Sequence, residues 1–369
     1  MAATQSTPVH ITELRARAVL VPMNRPLQTA GGTFTQAPLV LIDLATSAGV
    51  TGHSYLFSPT PLALKSLVAL LTDFNSLVAK LPLVPHDIEL LLNRRMTLLG
   101  AAQGLVGLVI SGIDMAIWDA QAKIAGLPLA RLLGGAPRPI PAYNSCGLSL
   151  LGPENVAREA VELLDHGRFH ALKLRLGYAT LEEDVAAVLA VKESVPAGTP
   201  VMTDYNQSLT PAEAIRRGHV LDELDLFWIE EPVRAEDHAG NAAVAAALKT
   251  PVQIGENFLG SRDMARALAA KACDYAMPDA ERIGGVSGWM RAAALADAAA
   301  MPMSTHLFPE ISSHLMCVTP TAHWLEYVDW ASPILATPLE IKAGHAVVRD
   351  EPGSGVAWNE TAVKQFLYQ

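Results

Sequence analysis

The chain has 369 residues, of which 50% are hydrophobic and 17% charged, and its formal net charge is −10. That length exceeds one average domain and supplies apolar material for a large core, which excludes a mainly disordered chain. The negative balance, with no basic stripe, argues against a nucleic-acid partner or an anionic membrane surface. Cys146, Cys273 and Cys317 lack zinc-like spacing and suit a reducing compartment. The opening MAATQSTPVHITEL lacks the basic and apolar regions of a signal peptide, so a cytoplasmic protein is expected.

The first unit, 1–132, reads as α+β. Two β-rich segments, HITELRARAVLVP and PLVLIDLATSAGVTGHSYLF, flank PLQTAGGTFTQA (26–37), a Gly/Thr/Gln-rich stretch expected to be a hinge-like loop. Helical patterns follow at roughly 60–80, 85–98 and 104–125. The last carries Asp114 and Asp119 and reads as a buried helix, not a membrane span.

Across 133–338 short apolar runs alternate with amphipathic helical stretches. The runs are IPAYNSCG, HALKLRLG, PVMTDYNQ, LFWIEEP, PVQIGENF, YAMPDA, MPMSTHLF and HWLEYV. Such alternation fits an open doubly wound sheet as well as a barrel. The positions of the polar residues decide. Lys173 and Arg175, Asp204 and Asn206, Glu230, Glu256, Asp279, His306 and Glu326 all end strand candidates. In a parallel barrel those ends form one rim, where active sites sit. The expected fold is therefore α/β, a modified (β/α)8 barrel of TIM type with an N-terminal capping domain. The tail, 339–369, is not a βα unit and should return to complete the cap.

Asp204, Glu230 and Glu256 close three consecutive strands at intervals of 26 residues. Taken singly, each is plausible as a solvated carboxylate; converging together, they would repel. A hard divalent cation removes that repulsion, and an all-carboxylate set favours Mg2+ over zinc, with Mn2+ as the alternative. Asp279 and His306 lie one strand apart, where a carboxylate fixes the imidazole tautomer and raises its basicity. His53, His314 and His323 lack such partners and read as structural. Glu326 would donate to an oxyanion if burial raises its pKa; otherwise it pairs with a rim cation. Lys173 and Arg175, two apart on one strand, point the same way, while Leu172, Leu174 and Leu176 face an apolar layer. Paired cations there need water or an anion in front of them. Together these groups suit removal of a weakly acidic proton beside a carboxylate, through an enediolate.

At these residues the sequence resembles the enolase superfamily, and within it the mandelate racemase subgroup. The likeness runs through APLVLIDLATSAGVTGHSYLF, DYNQSL, WIEEP, GEN, MPDAERIGGVSGW and TPTAHWLE and covers nearly the whole chain. It implies that Asp204, Glu230 and Glu256 hold the metal and that His306, oriented by Asp279, is a base on one face of the α-carbon. It implies that Lys173 neutralises the carboxylate of a small-molecule substrate, that Glu326 is an acid hydrogen-bonded to that carboxylate, and that Asn206 lies near the α-hydroxyl. Ser145, Tyr55 and the 26–37 loop fall where substrate is enclosed, Arg282 falls behind the ligands, and a homo-oligomer is expected.

One position departs. The family's motif is Lys-X-Lys, whose second lysine is the base for the opposite face; here it reads Lys173-Leu-Arg175. Arginine essentially stays protonated. Two enzyme readings remain. One is racemisation of an apolar or aromatic 2-hydroxy acid. The other is one-base dehydration of an acid sugar, with His306 the sole base and Arg175 binding substrate. Leu27, Phe34, Leu307 and Val328 are apolar where the resemblance places the substrate's side group, although Gly31 enlarges the space. That wall tips the expectation toward racemisation. A barrel retained only for binding would have lost the metal carboxylates or the His–Asp pair, and all are present.

Overall fold

The computed structural model describes residues 8–101 and 103–368. The first seven residues of the opening stretch lie outside this range. Strands β1 (Ile11–Thr29), β2 (Gly32–Thr46) and β3 (Thr51–Phe57) form an antiparallel sheet in that order. Helices α1 (Leu64–Val78), α2 (Pro85–Arg95) and α3 (Gly104–Ala125) complete the cap. α3 lies so close to β3 that a Cβ at Gly52 would strike the Ala116 carbonyl.

The stretch 26–37 is not a loop. Leu27 pairs with Phe34, Gln28 with Thr33 and Thr29 with Gly32, leaving Ala30 and Gly31 to turn a β-ribbon. The glycines that suggested a hinge mark this tight turn, and the Thr and Phe residues beside them are good strand formers. A register shift between Pro22 and Leu27 sets the ribbon off from the sheet.

After the short α4 (Leu129–Leu132), six strands pair in parallel in chain order. They are β4 (Ile140–Asn144), β5 (Leu172–Arg175), β6 (Val201–Asp204), β7 (Trp228–Glu230), β8 (Val252–Ile254) and β9 (Tyr275–Ala276). The parallel bridges Ala276–Met303 and Met303–Ala322 carry the pairing onward, and β10 (Leu325–Tyr327) returns to β4. The seventh stave is thus an extended segment around 303–306, tied to its neighbour by the Asp279–His306 bridge.

Helices α5 (Pro153–Asp165), α6 (Leu181–Ser194), α7 (Pro211–Leu221), α8 (His238–Ala247), α9 (Ser261–Ala269), α10 (Gly285–Ala298) and α11 (Pro309–Met316) follow the first seven staves. Leu172, Leu174 and Leu176 pack outward in one apolar cluster with Val188 and Val191 of α6. No barrel helix follows β10. Instead β11 (Ile341–Lys342) and β12 (His345–Ala346) form a hairpin whose second strand pairs with β4. The chain then returns to the cap, where α12 (Glu360–Gln365) docks. Trp358 donates to Asp43 at 2.6 Å, Arg17 bridges Asp43 and Glu360, and Leu367 bridges Val19 of β1.

Buried polar contacts join cap to barrel. Asp114 of α3 accepts from the Ser287 amide at 2.9 Å and hydroxyl at 2.6 Å, and Trp118 donates to that hydroxyl at 2.9 Å. Replacing Ser287 by Ala leaves Trp118 without its acceptor and Asp114 one donor short. The variant should lose about 1–3 kcal/mol in denaturant titration.

Burial pushes the Asp114 carboxyl up to about 7, against the Ser287 hydrogen bonds that favour its charge. A folded pKa above the unfolded value means that the native state binds the extra proton. Its contribution to stability therefore falls as pH rises from about 4 to about 7. The melting-temperature difference between Asp114→Asn and wild type should shift in the variant's favour across that window and level off above it.

Candidate active site

The strand ends converge as the alternation requires. Asp204 is the last residue of β6, Glu230 is the last of β7, and Glu256 follows β8 by two residues. Each offers a carboxylate oxygen, and these atoms all lie within 4.8 Å of one another. Parallel pairing sets Arg175 beside Asp204 and Asp204 beside Glu230.

Lys173 and Arg175 are 1% and 4% exposed, so their shared face is closed to water, and Lys173 meets anions there. The Lys173 ammonium lies 2.5 Å from Glu230, 2.7 Å from Glu326 and 3.3 Å from Asp204. Burial lowers its pKa, but Glu230 and Glu326 outweigh that and raise it well above the ordinary lysine value. Glu230 is pushed up to about 8, first by burial and then by Asp204, Glu326 and Glu256, despite Lys173. Glu230, Glu326 and Asp204 share the one Lys173 ammonium, which leaves this corner of the site short of positive charge. That shortage, with an all-oxygen donor set, fits Mg2+ at Asp204, Glu230 and Glu256.

Across the mouth, His306 Nδ1 lies 2.6 Å from Asp279, whose other oxygen accepts from the amides of Glu281 and Arg282. The pair fixes the imidazole so that Nε2 faces inward, 3.3 Å from Glu256 and 3.9 Å from Glu326. Burial lowers the His306 pKa, while Glu256, Glu326 and Asp279 raise it further, to about 9. Glu326 is buried 2.7 Å from the Lys173 ammonium. Burial alone would lift it, but Lys173, His306 and Arg175 hold it well below the usual carboxylate range. It is the partner of a rim cation and also accepts from the Leu307 amide at 3.0 Å.

Arg175 differs from Lys173 in having no carboxylate partner among the described residues. Its Nη1 has only the Ser145 and Gly147 carbonyls, each at 3.5 Å, and its buried Nε has no partner. The Ser145 hydroxyl and the Asn206 carbonyl oxygen are likewise buried without partners. Asn206 also donates to Asp204 at 3.1 Å and orients it.

Tyr55 of β3 is buried. Its hydroxyl is taken by Glu310 of α11 at 2.7 Å and its ring packs on Phe308. With Leu307 and Val328 it lines a small apolar void between cap and barrel. Leu27 and Phe34 face each other across the ribbon, Leu27 buried and Phe34 half-buried. Arg282 bonds the Asn257 side chain and lies 3.4 Å from the Glu256 carbonyl, behind the metal carboxylates.

Glu231 escaped the sequence reading. It is buried beside Glu230, accepts from Asn257 at 2.7 Å and leaves its second oxygen without a partner. The doublet in WIEEP was its only sign. Non-glycine residues in the left-handed region follow the functional strand ends, at Asn206, Gln207, Glu231, Leu307 and Phe308. Such backbone is retained where the surroundings over-determine it, typically at functional sites.

Residues 155–362 match the family model for the enolase C-terminal domain-like fold, and 11–134 match the N-terminal domain of mandelate racemase and muconate lactonizing enzyme. The chain belongs to the enolase superfamily. It is an enzyme of that superfamily, an isomerase or a lyase, and the cap and barrel described above are the superfamily's two domains. A Bradyrhizobium superfamily structure, solved with magnesium and mandelic acid, is 46% identical with a TM-score of 0.95, covering 99% of this chain and 100% of that one. The L-talarate/galactarate dehydratase of Salmonella typhimurium is 34% identical over 281 residues, 75% of this chain and 70% of that protein. An L-talarate dehydratase structure from Polaromonas, complexed with Mg and L-glucarate, is 28% identical with a TM-score of 0.87, covering 98% of each chain.

Calorimetric titration with Mg2+ should give one site per chain. Glu256→Gln and Asp204→Asn should each weaken it at least tenfold. Chelation should lower the melting temperature of the wild type and leave that of Asp204→Asn nearly unchanged.

Proposed function

We propose that this enzyme dehydrates an acid sugar using one base, and that Arg175 binds substrate. The observation that carries this is the buried Arg175 guanidinium, at the position where the family's motif has a lysine base for the face opposite His306. A racemase needs a base there, and arginine keeps its proton. Its free Nε–H, with the Ser145 hydroxyl beside its carbonyl-lined pocket, suits a substrate's hydroxyl or second carboxylate. The dehydratases among the relatives support the same reading, and it displaces the racemisation that the apolar wall had favoured.

Asp204, Glu230 and Glu256 would hold Mg2+, which supplies Lewis-acid stabilisation of the carboxylate charge that grows as the α-proton leaves. Lys173 is placed to share that charge. His306, held by Asp279, takes the α-proton in its neutral form, which Mg2+ would favour by offsetting the Glu256 charge that raises its pKa. It returns that proton to the departing β-hydroxyl, which leaves as water. The C–H electron pair becomes the C=C bond of an enol, which tautomerises to the 2-keto-3-deoxy acid. Racemisation of a 2-hydroxy acid stays as the second reading, because the 46%-identical structure was solved with mandelic acid. For either reaction the enzyme would act in the cytoplasm on a small carboxylate.

Proton NMR in D2O with Mg2+ separates the two. Aldonic and aldaric acids should lose their α-proton signal and yield 2-keto-3-deoxy products. His306→Asn should abolish both changes, and Arg175→Ala should raise KM more than it lowers kcat. Exchange from both enantiomers of mandelate, with decay of optical rotation and no dehydration product, would overturn the proposal in favour of racemisation.

A further inference from the structure

The ribbon that closes the cap, 23–36, is fastened to the barrel by side chains not used above. Arg25 lies 3.0 Å from Glu159 and 2.9 Å from Glu162, both on α5. Asn24 donates to Asp329 at 2.7 Å, the Gln28 amide donates to Ser149 Oγ at 2.9 Å, and the Leu150 amide donates to the Gln28 carbonyl at 3.0 Å. Glu159 divides its carboxylate. One oxygen takes Arg25, and the other accepts from the Leu148 amide at 2.7 Å. Its carboxylate sits so tightly against Gly147 that a Cβ there would approach it to 2.9 Å.

That contact reaches the active site in one more step. Leu148 is held in the left-handed region, and its carbonyl accepts from the Arg175 amide at 2.9 Å. Among the described residues, the Gly147 and Ser145 carbonyls are the acceptors within hydrogen-bond distance of the Arg175 guanidinium. Beside the Gln28 bonds to Ser149 and Leu150, one carboxylate thus ties the ribbon, through Arg25, to the Gly147–Leu148 backbone that lies against Arg175. We infer that Glu159 is a positioning residue that couples the seating of the 23–36 ribbon to the orientation of Arg175. Its catalytic consequence rests on Arg175 binding substrate, whereas the coupling does not. A seated ribbon fixes the turn and aims the guanidinium, and a released ribbon leaves both slack.

Hydrogen–deuterium exchange with mass spectrometry on the full chain tests the coupling without any substrate. Arg25→Ala is the main variant, since Arg25 is partly exposed and its loss leaves the Leu148 amide paired. Exchange should quicken by roughly fivefold, as a partly exposed ion pair warrants, in the ribbon and also in the 145–151 turn. Arg25→Lys should restore much of the protection in both. Glu159→Gln, which keeps an acceptor for Leu148 and leaves Arg25 its Glu162 partner, should quicken exchange in both segments, in the ribbon by less than Arg25→Ala does. Faster exchange in the ribbon alone, or in neither segment, would overturn the inference. On an acid sugar that the wild type turns over, Arg25→Ala should raise KM more than it lowers kcat at unchanged Mg2+ affinity. An equal fall in kcat with KM unmoved would reject the catalytic consequence while leaving the exchange result to stand.

Discussion

The balance of charge at the barrel mouth constrains everything else. Asp204, Glu230, Glu231, Glu256, Asp279 and Glu326 are drawn together where water is largely excluded, and among the described residues Lys173, Arg175, Arg282 and His306 answer them. Carboxylates this crowded ionise together only if positive charge is supplied. Lys173 answers three at once and still leaves Glu230 raised. The closed ladder matters because it forces those strand ends into register. An open sheet would spread the same residues along an edge and remove both the repulsion and its use.

Much of this was legible because barrel chemistry puts its polar groups at a fixed phase of a simple pattern. Each strand candidate is a short apolar run, and its last polar residue lies at the mouth, so Asp204, Glu230 and His306 could be read from position alone. Residues whose roles depend on approach from a distant segment could not. Tyr55 meets Glu310 across 255 residues of sequence, and nothing near Tyr55 announces that partner. The direction taken by Glu326 was hidden for the same reason. Burial and a lysine pull oppositely, and only the 2.7 Å separation decides between them. The ribbon was misread because glycine favours a tight hairpin turn as much as a hinge, and the pairing that distinguishes them is a register, not a composition.

The choice between two reactions rests on one side chain within a shared frame. Proton abstraction by His306 needs the same metal carboxylates, the same Lys173 and the same Asp279 whether the product is an enantiomer or a dehydrated acid. What differs is the opposite face, where lysine can release a proton and arginine holds on to it. A guanidinium buried without a carboxylate partner is costly unless a ligand completes its hydrogen bonds. The part of the frame that departs from the family's motif is thus the part with unmet bonding capacity.

The return of the C-terminal segment to the cap bears on how the protein is made. On the edge of β1 the Leu20 amide donates to the Phe366 carbonyl and the Ala18 carbonyl accepts from the Tyr368 amide, and Asp43 of β2 accepts from Trp358. During translation the cap strands emerge first, yet that edge stays open until the barrel has been synthesised. The sheet of β1–β3 therefore waits for the segment 358–368. An unpaired edge is where strands from neighbouring nascent chains can join. Arg15 and Arg17 of β1, with Asp43 on the strand beside it, place charge along the sheet that waits.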